Sequence, residues 1–141
     1  MTGQPAPVAF SFDVHKAQIL LANHRVHWST RARITRTLRQ IAYLEARRVA
    51  LPRFERAHLV VTVMWPDRRR RDVANVHPTI KALVDGLVAD YGALPDDDDA
   101  HLLGPDLRVA PHASGTAATR FRFELRPLPA VDETDGRGEV T

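Results

Sequence analysis

The sequence predicts an α+β fold, a mixed β-sheet flanked by two main helices in a single domain. Segments near 8–14, 57–65, 102–109 and 119–126 have the composition or two-residue alternation of strands. Two longer segments, near 30–49 and 79–91, carry apolar residues at helical spacing. A chain of 141 residues is one domain by length and can bury a real core.

In order along the chain, Val8, Phe10, Phe12 and Val14 alternate with small or polar residues, the pattern of a half-buried strand. Residues 1–7 read as a flexible tail. The apolar run Ile19–Ala22 leads into Asn23-His24-Arg25-Val26-His27-Trp28, a polar and aromatic loop, after which Ser29 or Thr30 is the expected helix cap. On that helix Ile34, Leu38, Ile41 and Leu44 fall on one face, and Arg33, Arg36, Arg39, Tyr43 and Arg47 on the other. The basic face reads either as a solvated surface or as a phosphate track.

Ala57–Trp65 is rich in β-branched residues on both faces, which predicts a central strand. Pro78 just inside the next helix and Gly92 beyond it supply a start and a left-handed stop. Between them Ile80, Leu83, Val84, Leu87, Val88 and Tyr91 form a core stripe. Phe121, Phe123 and Leu125 alternate with charged residues in the last strand, and residues 128–141 read as a disordered tail, leaving 8–127 as the folded domain.

Composition narrows the function classes. No apolar run approaches the ~20 residues that cross a bilayer, and residues 1–10 lack the pattern of a signal peptide, so a cytoplasmic protein without membrane partners is expected. The absence of cysteine excludes thiolate zinc sites and disulfides. The net charge of +3 conceals an asymmetry: residues 1–71 carry 14 Lys and Arg against 4 Asp and Glu, whereas residues 72–141 carry 6 against 13. Such a split suggests a nucleic-acid surface in one half and metal ligands in the other, although a two-signed surface is also common in proteins that bind neither.

The two chemistries meet between Arg68 and Asp99. Arg68, Arg69, Arg70 and Arg71 run into Asp72, and the second helix ends before Asp96-Asp97-Asp98-Asp99. Arginines hold phosphates, and carboxylates hold a hard divalent ion that activates a scissile phosphate. The expected nucleic-acid surface comprises Arg68–Arg71 with Arg33, Arg36 and Arg47, joined by His24, Arg25 and His27 from the loop. Trp28 reads as a packing anchor or a base-stacking platform. Asn75 reads as a ligand or orienting amide, or as a turn residue. Lys81 reads as a phosphate contact, or as half of an ordinary helix pair with Asp85.

Asp72-Val73-Ala74-Asn75, followed by Lys81 within Pro78–Leu87 and then Asp96-Asp97, resembles the acidic centre of the RusA-like crossover junction endodeoxyribonucleases, the Holliday-junction resolvases of phages and prophages. The family's pattern is Asp-x-Asp-Asn opening a helix that carries a lysine, then an Asp-Asp pair. The loop Asn23–Trp28 is similar to the family's N-terminal loop, and the likeness spans roughly Leu20 to Arg126. It implies a RusA-like fold and a homodimer that nicks four-way DNA junctions symmetrically. Asp72, Asn75, Lys81 and Asp97 would be catalytic, and Asp72, Asp96, Asp97 and Asp98 would be ligands for Mg²⁺, with Mn²⁺ as an alternative. Two departures stand out: Ala74 replaces the second motif aspartate, and Lys81 lies about three residues later than the simplest spacing. The competing expectation is a junction-binding protein with weakened or no catalysis; an RNA-directed protein is a third.

Overall fold

The computed structural model describes residues 3–130. Its order is β1 (Val8–His15), a 3₁₀ turn (Lys16–Gln18), α1 (Trp28–Arg48), β2 (Ala57–Met64) and a second 3₁₀ turn (Val73–Val76). Then come α2 (His77–Asp85), its π-helical continuation (Gly86–Tyr91), β3 (Leu102–Val109) and β4 (Ala118–Pro127). The fold is therefore the expected α+β arrangement, one four-stranded mixed sheet with two helical segments.

The strands lie in the order β1-β4-β2-β3. β4 runs antiparallel to both neighbours, whereas β2 and β3 are parallel. A parallel pair needs a crossover, and α2 with its continuation is that crossover. β2 is central, as its apolar composition predicts. Its inner row Leu59, Val61 and Val63 is buried, while on the other face only Val60 is buried and His58, Thr62 and Met64 are half-covered. The helices explain the difference, because both pack on the inner face.

The core joins Phe10, Phe12 and Val14 of β1 to Phe121, Phe123 and Leu125 of β4 and to both helices. The register puts Phe10 opposite Phe123 and Phe12 opposite Phe121, so four aromatic rings share one layer. Burying each phenyl side chain contributes about 1.5–3 kcal/mol by area. The outward residues of the same strands form a polar face, with Ser11, Arg122, Thr62 and Arg108 in register across the sheet.

Three local expectations need correction. The cap of α1 is His27, whose Nδ1 accepts the Ser29 N–H at 3.2 Å, so the helix begins before Ser29 and Thr30. Its core face runs through Ile34, Leu38, Ala42 and Ala46, while Ile41 is half-buried and Leu44 is 52% exposed. Small residues win those positions because α2 comes close: a Cβ built on Gly86 would lie 2.3 Å from the Arg39 carbonyl oxygen. The second helix starts at His77, with Pro78 in its first turn, and changes to π geometry at Gly86 before stopping at Gly92, which has φ of 86°.

The terminal segments are tied to the domain where they are described. The Gln4 side chain donates to the Leu128 carbonyl and accepts the Glu55 N–H at 3.0 Å, and the Leu128 N–H donates to the Arg56 carbonyl at 2.9 Å. Residues 1–2 and 131–141, parts of the tails expected from the sequence, lie outside the described residues. Among the described residues no helix is long and apolar enough to cross a membrane.

Candidate active site and nucleic-acid interface

Asp72 leaves the arginine run in an extended conformation and caps the 3₁₀ turn, its Oδ1 accepting the Ala74 N–H at 3.0 Å. Its other carboxylate oxygen has no hydrogen-bond partner among the described residues. Ala74 is thus an exposed turn residue, not the second residue of a strand face shared with Asp72. The Asn75 backbone holds the site together: its N–H donates to the Asp72 carbonyl at 3.0 Å and its carbonyl accepts the Ala22 N–H at 2.8 Å. Its side chain makes no hydrogen bond among the described residues and lines the adjoining cleft.

Thr79, a residue the sequence reading passed over, fixes the neighbouring loop. Its buried hydroxyl receives the Leu20 N–H and donates to the Leu20 carbonyl, both at 2.8 Å. A buried hydroxyl with both roles filled avoids the cost of an unmet polar group. Together Thr79 and Asn75 pin the segment before His24 to the start of α2. The result is a cleft of about 420 Å³ in which Asn23 and His24 meet Asp72, Asn75 and the arginine run.

The four arginines are unequal. Arg68, Arg69 and Arg70 are exposed. Arg71 is half-buried, donates to the Asp67 carboxylate at 2.8 Å and lies over the Trp65 ring at 4.9 Å. Hydrogen bonds from Arg71 and from the Arg69 backbone hold the Asp67 carboxyl below its ordinary pKa. Arg71 therefore shapes the wall and Arg69 pairs loosely with the same carboxylate at 3.7 Å, while Arg68 and Arg70 offer guanidinium groups with no ion pair among the described residues. Arg25 and His27 are exposed on the loop after His24, and the His27 ring lies 5.6 Å from that of Trp28, which is 76% exposed. That exposure removes the reading of Trp28 as a packing anchor.

The α1 cations form a separate group. Arg33, Arg36 and Arg47 are exposed, but none lines a cavity with Arg68–Arg71. Arg47 lies over Tyr43 at 5.8 Å, and Arg39 makes two 2.8 Å bonds to Asp90. The hydrogen bond from Arg39 keeps the Asp90 carboxyl low.

The acidic loop is brought to Lys81 rather than to the Asp72 cleft. Lys81 Nζ donates to Asp85 at 2.9 Å and to Asp97 at 3.0 Å. The bond to Asp85, then that to Asp97, raises the Lys81 pKa, and the same ammonium lowers that of Asp97. Asp96 accepts the Asp97 N–H at 2.7 Å, and Asp98 pairs with His101 at 2.6 Å. Asp96 and Asp97 line another cavity of about 970 Å³ with Arg39, Arg53 and Asp85. Asp72 and Asn75 are absent from its walls.

The four-carboxylate metal set expected from the resemblance is accordingly not preassembled. Among the described residues no three His, Asp or Glu side chains converge as a metal-holding group. One reason is that the Lys81 ammonium already bridges Asp97 of the loop and Asp85 of the helix. The donor chemistry at Asp72 does suit a hard cation, since Mg²⁺ commonly takes one or two carboxylates and completes its shell with water and phosphate. No family model matches the chain, and no curated protein matches it in sequence.

Proposed function

We propose that the chain is a divalent-metal-dependent endonuclease of branched DNA, acting as a homodimer on four-way junctions. The observation that carries this reading is the shared cleft: Asp72 and Asn75 at the entry to α2 line the same walls as His24, Arg69 and Arg70. A phosphodiester there meets cations and a carboxylate together. Asp72, with the Asn75 amide beside it, would hold Mg²⁺ or Mn²⁺, which supplies polarisation of the phosphoryl oxygen and a more acidic bound water. Arg69 and Arg70 hold the flanking phosphates by charge, and His24 donates to a phosphate oxygen. Lys81 pairs with Asp97 and offsets part of the acidic loop's charge. A twofold dimer would present two equivalent clefts to strands of like polarity in a symmetric junction.

A second reading, junction binding without cleavage, is favoured by Ala74 in the motif and by the carboxylates' lack of convergence. A four-way junction incubated with the protein in Mg²⁺ and in EDTA separates the two. Paired symmetric nicks that require the metal support the nuclease. Tight binding without nicks in either Mg²⁺ or Mn²⁺ supports the binding protein, and neither binding nor nicking overturns both.

A further inference from the structure

We propose that the groove leading from the Asp72 cleft past Trp65 to Lys16 is a subsite for one unpaired nucleotide at the branch point of the DNA. This inference rests on the nucleic-acid reading of the neighbouring cleft and adds a substrate feature and a residue, Lys16, that the sequence did not single out. The groove has a volume of about 380 Å³ and is continuous with the cleft, because His24, Trp65 and Arg69 line both. That size falls in the range of small-ligand pockets, roughly 300–1,000 Å³.

Its walls divide as a nucleotide does. Ile19, Leu21 and the part of Trp65 not overlain by Arg71 supply apolar surface suited to a base, and Lys16, with Arg69 shared with Asp67, supplies positive charge suited to its phosphate. Lys16 is exposed and makes no ion pair among the described residues. Its backbone N–H donates to the Ala117 carbonyl at 3.0 Å, which fixes the lysine beside the opposite wall. The acid lining the groove, Asp67, is already occupied, accepting from Arg71 at 2.8 Å and from the Arg69 N–H at 2.9 Å, with the Arg69 guanidinium 3.7 Å from its other oxygen. Its charge therefore does not cancel that of Lys16. The guanidinium of Arg71 lies over one face of the indole at 4.9 Å, so a base in the groove meets the Arg71 plane or the uncovered part of Trp65 rather than that face. A paired duplex keeps its bases in the stack and offers only phosphates to this wall, so the groove discriminates for an extruded base.

The test compares binding to two four-way junctions in EDTA, identical except that one carries a single unpaired 2-aminopurine nucleotide at the branch point. The wild-type protein should bind the unpaired form about tenfold more tightly and quench its fluorescence by stacking. Lys16→Glu, a change at an exposed side chain, should remove the preference and the quenching, with affinity for the paired junction reduced less than fivefold. Equal wild-type affinity for the two junctions, or a preference unaffected by Lys16→Glu, overturns the subsite. The preference should persist in Asp72→Asn. If junctions are cut in Mg²⁺ but no preference exists, the subsite alone fails; if the preference exists and nothing is cut, the nuclease reading alone fails.

Discussion

Replacing Lys81 by methionine removes the ammonium that links α2 to the acidic loop while keeping most of the side chain's length. Two bonds disappear, to Asp85 at 2.9 Å and to Asp97 at 3.0 Å. The Lys81 side chain is 56% exposed and those of its partners 27% and 38%, so water and salt screen both pairs. Exposed pairs contribute about 0.2–1 kcal/mol each, which puts the loss near 1 kcal/mol at neutral pH and moderate salt. For a domain of this size that corresponds to a fall in Tm of about 3 °C. The sign of the pH dependence follows from the carboxylate: Asp97 is depressed in the folded state, so its contribution is present above the ordinary carboxylate pKa and lost as pH falls through the depressed value. Lys81 is raised, so its contribution is present at neutral pH and lost only when strongly alkaline solution passes the raised value. Thermal melts of wild type and Lys81→Met should therefore differ by about 3 °C at pH 7 and begin to converge only when the pH falls below the ordinary carboxylate value, toward the depressed value of Asp97. With the ammonium gone, Asp85, Asp96 and Asp97 repel, and Mg²⁺ or Ca²⁺ should stabilise the variant more than the wild type. A Tm difference unchanged at acid pH, or no gain in stabilisation by either cation, would refute this electrostatic account of the loop.

Arg71→Ala should lower Tm by several degrees, because it removes the Asp67 bond and uncovers Trp65, whereas Arg68→Ala and Arg70→Ala should leave Tm unchanged and each flatten the salt dependence of DNA binding by about one unit. A salt slope insensitive to both exposed arginines would put the phosphate surface elsewhere. Gly86→Ala forces a methyl against the Arg39 carbonyl, so denaturant unfolding should register a loss of about 1–3 kcal/mol; wild-type stability would mean that α1 and α2 are not so close. Ala74→Asp adds an exposed carboxylate two residues from Asp72 in the same turn, and both Mg²⁺ affinity, read by calorimetry, and nicking rate should rise. If neither changes, position 74 does not face the cation.

Periodicity made the strands and both helices legible, since Phe121-x-Phe123-x-Leu125 has one sensible burial pattern and Pro78 and Gly92 bracket the second helix. The apolar face of α1 was read less well. Leu44 is exposed and Ala46 is buried, and at Ala42 the approach of Gly86 is a tertiary demand that hydrophobicity alone does not encode. Local chemistry was readable where partners are near in sequence: the Lys81–Asp85 pair is one helical turn apart and forms. Partners distant in sequence were not. Nothing local reveals that Thr79 staples Leu20, that Lys16 faces the groove past Trp65, or that Lys81 reaches Asp97. The acidic run illustrates the same limit, because four adjacent aspartates signal a need for positive charge without saying whether a lysine or a metal ion meets it.

The most direct test of the nuclease reading is single-turnover cleavage of a four-way junction by wild type and Asp72→Asn in Mg²⁺, with junction affinity measured in parallel in EDTA. The account predicts nicking by the wild type, loss of nicking by at least about a hundredfold in the variant, and affinity equal or tighter after removal of the carboxylate's charge. Cleavage at the wild-type rate by Asp72→Asn, with binding intact, would contradict the assignment of Asp72 to the reaction.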